Sequence, residues 1–345
     1  MNYHSYAGEI PQGSVLGINY SGMHDTSVAL VSPEGETIFA ISLERISRVK
    51  QDGRSPIKLL QGLPWENISK VGLSVEREYI PTDDGSSRFH PIQYKHPVVT
   101  DRAHGDAFLE RLDFIPREKV FVPHHLCHAA SAFWLSDFKN AICLVYDGGM
   151  ANENWFGGVY TASRNQGITP IDQFCDGDYS NVTRLYSAVT VLLGFTPLKH
   201  EGKITGLAAY GKVTNSCLQI LEEWLYRPDE LCALLHWEDL YGLDNRPRLE
   251  TDDATMEILQ EALSQHSRED IAATVQHITE EHIIKILKEI VGREGTSENL
   301  CLSGGLFANV KVNQRASEVF KNVFVSPPMS DDGTALGAAL HVASE

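Results

Sequence analysis

The sequence predicts an α/β fold made of two similar lobes with a cleft between them. An apolar strand that ends in Asn or Asp and runs into a glycine turn occurs at Ser14–Asn19 and again at Ala141–Tyr146. Each is followed by further strand-forming residues, and more glycine turns stand at strand ends later in the chain.

The elements follow in order. Strands are expected at Ser14–Asn19, Thr26–Val31 and Thr37–Leu43, separated by the turns Tyr20–Asp25 and Ser32–Glu36. Pro123 leads into a helix over His124–Ser136, proline being well suited to the first turn. The second unit supplies strands at Ala141–Tyr146 and Trp155–Ala162. Ser267-Arg-Glu-Asp270 resembles a capping box with Asp in place of Glu. It opens an amphipathic helix that carries Ile271, Val275, Ile278, Ile286 and Ile290 and that Gly292 is expected to stop. Strands at Asn299–Leu302 and Val323–Val325 and an alanine-rich helix over Thr334–Val342 complete the chain. The expected division is a first lobe over 14–138, to which a helix at 334–345 returns, and a second over 139–333. The second lobe holds a variable surface insertion of helices at about 213–266.

Composition narrows the function. A formal charge of −17, with only three cations in the densest basic stretch, argues against a nucleic-acid partner, which requires a basic face. No apolar run approaches the ~20 residues of a membrane-spanning helix. The opening residues lack the basic and apolar regions of a signal peptide, so the cytoplasm is the default. Six cysteines, none in a C-x-x-C pair, read as buried or incidental thiols and not as a disulfide framework.

Candidate chemistry begins at His124-His-Leu-Cys-His128. Residues i and i+4 share a helix face, so His124 and His128 can direct imidazole nitrogens at one metal; the spacing also fits a chance pair. Asp147 and Asp331 each follow an apolar strand, where they can serve as further ligands or simply cap turns. The clusters Asp147-Gly148-Gly149, Gly202-Lys203-Ile-Thr-Gly206, Gly304-Gly305 with Asn309, and Asp331-Asp-Gly333 suggest backbone that can approach phosphate closely. None of them is a P-loop or a Rossmann fingerprint. His24-Asp25 and Glu44-Arg45-x-x-Arg48-x-Lys50 read either as a solvated edge with ordinary ion pairs or as a cationic pocket. In the pocket reading, Lys50 and His24 face a transferred carbonyl or phosphate.

Together, the segments His24–Ala29, Glu44–Lys50, His124–Ala132, Glu201–Gly211, Leu302–Asn309 and Asp331–Ala339 resemble the O-carbamoyltransferases of nodulation-factor and antibiotic biosynthesis. That family belongs to the actin/Hsp70/sugar-kinase superfamily and is related to the tRNA threonylcarbamoyladenosine transferases. The resemblance implies duplicated actin/Hsp70-like (RNase H-like) lobes around a nucleotide-binding cleft that takes ATP or carbamoyl-adenylate. It also implies a divalent metal of the iron type, with Mn2+ and Zn2+ as alternatives, held by His124, His128, Asp147 and Asp331. His24, Asp25 and Lys50 are the implied catalytic residues; Gly148, Gly149, Gly202, Lys203, Gly206, Gly304, Gly305 and Asn309 are the implied nucleotide contacts. The expected reaction is carbamoyl transfer to a hydroxyl or amine of a small-molecule acceptor.

Two departures from the family pattern qualify these expectations. In the turn Asp147-Gly-Gly-Met-Ala-Asn-Glu153 the family's carboxylate is displaced or missing, and the sequence ends at Glu345, where the family continues into a carbamoyl-adenylate-forming domain. The expected source of carbamoyl-adenylate is then either a separate protein or a domain outside this sequence. The competing readings are a non-catalytic nucleotide-binding sensor and a threonylcarbamoyl-type transferase.

Overall fold

A computed structural model describes residues 9–21, 24–75, 102–112, 116–148, 155–175, 181–227, 231, 234–238, 248–294 and 298–345. The strands are β1 (Ser14–Asn19), β2 (Ser27–Val31), β3 (Thr37–Ser42), β4 (Ile68–Val75), β5 (Glu118–Pro123), β6 (Asn140–Tyr146), β7 (Trp155–Ser163), β8 (Gly167–Cys175), β9 (Leu235–Glu238), β10 (Arg248–Thr251), β11 (Asn299–Ser303) and β12 (Asn322–Val325). The helices are α1 (Leu43–Ser47), α2 (Ile57–Leu60), α3 (Arg102–Arg111), α4 (His124–Leu135), α5 (Val182–Leu192), α6 (Glu201–Ala208), α7 (Asn215–Leu225), α8 (Asp253–Leu263), α9 (Arg268–Glu294), α10 (Val310–Ala316) and α11 (Thr334–Ser344).

The duplication is plainer in topology than in sequence. One sheet has the order β3-β2-β1-β4-β5 and the other β8-β7-β6-β11-β12. In each, the first three strands in chain order run antiparallel and the last two join parallel to the first. Both first strands, β1 and β6, are therefore central and covered on both faces. This is why they read as continuous apolar runs and not as alternating ones.

Two helices stitch the sheets together. On β1, Leu16 and Ile18 face a cluster with Leu59, Leu60 and Phe108, while Val15 faces the alanines of α11. A Cβ on Gly17 would lie 1.8 Å from the Ala335 carbonyl oxygen, so the bare backbone of β1 is what admits α11. Gly337 on α11 meets the Cys127 carbonyl of α4 at the same separation. Helix α4 then turns Ala129, Ala132 and Phe133 toward β6 and β11 of the second sheet. The small residues thus have a steric purpose: they bring the N-termini of α4 and α11 close together.

Three expectations need correction. Gly292 does not stop its helix, since α9 continues to Glu294; one exposed glycine costs only about 1 kcal/mol against the packing of a long helix. The capping box is half formed. Ser267 Oγ accepts the Asp270 amide at 3.1 Å, but the Asp270 carboxylate accepts the Lys212 amide at 2.8 Å. The segment 213–266 is not merely superficial: Cys217, Leu221, Trp224 and Leu225 of α7 and Leu259 and Leu263 of α8 are buried in the core of the second sheet. It also holds the hairpin β9-β10 as well as helices. Of the cysteines, Cys127, Cys143, Cys217 and Cys301 are buried free thiols. Among the described residues no helix is long and apolar enough to cross a membrane.

The tight α4–α11 contact gives a direct test. Gly337→Ala places a methyl group on the Cys127 carbonyl, and the expected loss is about 1–3 kcal/mol of stability, the usual range for overpacking. Urea melts of the two proteins measure it; an unchanged midpoint would show that α11 can shift without cost.

Candidate functional site

Four chain segments converge where the sheets meet: the turn after β1, the first turns of α4, the end of β6 and the 3-10 turn Asp331–Gly333 ahead of α11. His124 and His128 lie one above the other on α4, with ring centroids 4.7 Å apart. Their Nε2 atoms are 3.1 Å apart. Asp147 Oδ2 lies 3.2 Å from His124 Nε2 and 3.4 Å from His128 Nε2. Asp331 Oδ1 lies 3.5 Å and 3.3 Å from the same two atoms. All four candidate ligand atoms fall within 4.8 Å of one another. The site is well shielded, His128 being 0% and Asp331 7% exposed.

Both carboxylate ligands are held from behind. The Asp147 amide donates to the Phe156 carbonyl at 2.7 Å, which fixes the residue at the sheet rim. Its Oδ1 accepts the amides of Gly148 at 2.8 Å and Gly305 at 3.1 Å, leaving Oδ2 for the histidines. The Asp147 carbonyl accepts Thr183 Oγ1 at 3.0 Å from the start of α5. The Asp331 carbonyl accepts Asn19 Nδ2 at 3.0 Å and Thr334 Oγ1 at 2.7 Å. Asn19 Nδ2 also reaches the Asp25 carbonyl at 3.0 Å, tying the β1 turn to the Asp331 turn. His24 Nδ1 completes the bridge, 3.1 Å from Asp25 Oδ2 and 3.6 Å from Asp331 Oδ2.

The electrostatics follow from this packing. Burial opposes charge on His128, but hydrogen bonds to Asp147 and Asp331 outweigh it and hold its pKa above the usual histidine value. Burial likewise opposes ionisation of Asp147, yet hydrogen bonds from His124 and His128 hold its carboxyl well below the usual range. Asp331 is raised by burial and by the neighbouring Asp147 charge, and lowered further still by His124 and His128. Asp332 lacks such partners, so burial and the Asp25 charge push it up to about 6. For His125, desolvation and the charge on His124 bring the pKa down to about 3.

The chemistry of the donor set suits a divalent metal. Two imidazole nitrogens and two carboxylate oxygens converge on one point, where a cation would supply the positive charge that the paired carboxylates favour.

The remaining expected site residues fall into different places. Gly304 has φ +105°, and a Cβ there would sit 2.4 Å from the Tyr146 carbonyl oxygen. The Gly304-Gly305 turn therefore crosses the end of β6 and gives an amide to Asp147. Gly202, Lys203 and Gly206 lie in helix α6 and not in a turn. The open, glycine-enabled loop expected there is absent, and Lys203 Nζ stands over the Phe195 ring. The Asn309 side chain caps α10 by accepting the Lys311 and Val312 amides, and Nδ2 donates to Gln276 Oε1. Lys50 is paired with Glu44 at 3.2 Å, and its side chain is 63% exposed. Arg45 is exposed and paired with the same carboxylate, so the 44–50 stretch forms an ion-paired margin and not an open cationic pocket. Gly149, with the displaced carboxylate of the same turn, lies outside the described residues.

Asn19 and Thr183 carry positioning contacts that the sequence motifs did not include. For Asn19 a signal existed: it ends β1 where Asp147 follows β6. The repeat thus puts a carboxamide that ties loops in one half against a ligand carboxylate in the other.

The model for the carbamoyltransferase N-terminus matches residues 94–340. An uncharacterized protein of Methanocaldococcus jannaschii is 28% identical over 395 residues, covering 96% of this chain and 63% of that protein. Nodulation protein NolNO of Sinorhizobium fredii is 26% identical over 336 residues, covering 94% of this chain and 47% of that protein. This chain thus spans roughly half to three-fifths of the length of these curated relatives. In fold it is similar to component A of the (R)-2-hydroxyglutaryl-CoA dehydratase of Acidaminococcus fermentans. The TM-score is 0.52 at 14% identity, covering 97% of this chain and 100% of that one. The two matched five-stranded sheets are those of the duplicated actin-like fold. On the family match over most of its length, the chain belongs to the carbamoyltransferase family, of which it represents the N-terminal region.

Proposed function

We propose that this chain transfers a carbamoyl group from carbamoyl-adenylate to a hydroxyl or amine of a small-molecule acceptor, with a divalent cation held by His124, His128, Asp147 and Asp331. The observation that carries the reading is the convergence of those four side chains, from three separate segments, inside a chain of the carbamoyltransferase family. When bound, the cation supplies Lewis acidity toward an oxygen of the adenylate phosphate.

The protein's own groups account for the rest. His24 Nδ1 faces carboxylate oxygens of Asp25 and Asp331, so it carries the proton and leaves Nε2 as the accepting nitrogen. That arrangement suits removal of a proton from the acceptor hydroxyl, in place of the carbonyl-polarising role expected from sequence. The hydroxyl oxygen then bonds to the carbamoyl carbon, the bond to the phosphate oxygen breaks, and AMP leaves. Asp25 orients His24, and its left-handed backbone, φ 52°, sets the angle of the turn. Lys50 and Arg45 provide positive charge at the margin once Glu44 shares them with an anion. The nucleotide reading rests on the family and on Gly148, Gly304 and Gly305 bordering the metal ligands, with Asn309 just beyond on the same segment.

Two outcomes are expected. The intact chain binds roughly one Fe2+, Mn2+ or Zn2+ per molecule and consumes supplied carbamoyl-adenylate in the presence of acceptor, and His128→Ala loses at least about tenfold in metal affinity, since even outer-shell changes cost that much. Elemental analysis and AMP release measure both. Metal lost without any change in AMP release would defeat the catalytic reading.

The second outcome concerns metal-stripped protein. His128 has a folded pKa above its unfolded value, so its contribution is fully present below the ordinary histidine pKa and is lost as pH rises through the raised value. Unfolding free energy should therefore decline as pH rises above the ordinary histidine value. Denaturant melts of His128→Asn should show that slope flattened; an equal slope in both proteins would assign the proton elsewhere.

A further inference from the structure

The sequence motif Ser303-Gly304-Gly305 invites a role as a phosphate cradle, yet the polar contacts it makes lead to the metal ligands. Gly305 gives its amide to Asp147 Oδ1, and Ser303 Oγ stands 3.3 Å from His128 Nδ1. Both ligands on this side of the centre are thus gripped by one turn.

The direction of the hydrogen bonds around Ser303 can be deduced, because carbonyl groups only accept. Ser303 Oγ lies 3.5 Å from the Met329 carbonyl, to which its hydroxyl can donate, and 3.5 Å from Ser131 Oγ, whose own proton goes to the His128 carbonyl. Its lone pair then remains to accept from His128. On the far side, Ser131 Oγ donates to the His128 carbonyl at 2.9 Å, and Ser326 Oγ, 3.1 Å away, donates to Ser131. Ser303, Ser131 and Ser326 are all buried, at 1% exposure or less, so bulk water does not substitute for these bonds. We infer that Ser303 is a positioning residue that fixes His128 with its proton on Nδ1 and its Nε2 lone pair aimed at the metal, making the Ser303–Gly305 turn a brace for the metal centre.

The physical consequence is specific. A ligating histidine whose outer nitrogen has a fixed acceptor is held in one tautomer and one ring orientation, and losing that acceptor typically costs about 10–100-fold in metal affinity. A neighbouring buried serine that does not touch the imidazole should have no such effect.

This inference rests on the metal reading above, and the test separates the two. Co2+ is titrated into metal-stripped parent, His128→Ala, Ser303→Ala, Ser303→Cys and Ser326→Ala proteins, following the visible absorption of bound cobalt, with thermal melts as the control for folding. The expected result is that Ser303→Ala binds about 10–100-fold more weakly with a shifted absorption band, while Ser326→Ala stays within about threefold, the scatter expected of a group that leaves the ligand untouched. Ser303→Cys, nearly isosteric but a poor acceptor, should follow Ser303→Ala even if the alanine variant folds badly. Parent-like affinity and spectrum in both Ser303 variants would overturn the positioning role while leaving the metal site intact. Equal losses in the Ser303 and Ser326 variants would overturn it too, by assigning the effect to the serine cluster as a whole. A parent that binds no Co2+ would remove the metal reading and this inference with it.

Discussion

The rest of the site depends on one constraint: two shielded carboxylates, the half-buried Asp147 and the buried Asp331, must share the same few ångströms. Left alone, two like charges out of water would repel and lose hydration, and at least one would take up a proton. His124 and His128 prevent this by facing both carboxylates at once. Positive charge at that point, whether shared protons or a cation, is thus a condition of the folded arrangement and not an addition to it.

The fold meets that condition by bringing two helix starts together. Helix α4 carries the histidines and α11 follows Asp331 directly, so the α4–α11 contact sets the distance between imidazole and carboxylate. Gly337 against the Cys127 carbonyl and Gly17 against the Ala335 carbonyl make the close approach possible. Asp147 comes from the other sheet, at the end of β6, where the Phe156 carbonyl, the Gly305 amide and the start of α5 fix it. Backbone packing and ligand geometry are therefore coupled, because small residues in the helix interface decide where charged groups meet.

The duplicated topology also explains a division of labour. The corresponding strands β1 and β6 end in Asn19 and lead into Asp147, two side chains of nearly equal shape and different charge. Asn19 can donate, so it ties the Asp25 and Asp331 carbonyls together. Asp147 can only accept when ionised, so it draws amides to one oxygen and imidazoles to the other. A single repeated position thus serves as a fastener in one half and a ligand in the other.

By itself the sequence determined most of the strand–turn framework and the metal candidates. Apolar runs bounded by turns placed β1, β2, β3, β6, β7 and β11, and the i, i+4 spacing placed His124 and His128 on one face. Local pattern can carry such features because strand alternation, helical period and turn chemistry act over a few residues. It failed where the deciding contacts are remote. Gly202 and Gly206 look like loop glycines until the packing of α6 against α9 makes them helical. Asn309 carries no local sign of its pairing with Gln276, 33 positions away. Ser303 has no local signature for bracing a histidine 175 positions away. Only the tertiary structure could decide these, since a hydrogen-bonding group's role is fixed by which partner reaches it first, and those partners come from distant parts of the chain.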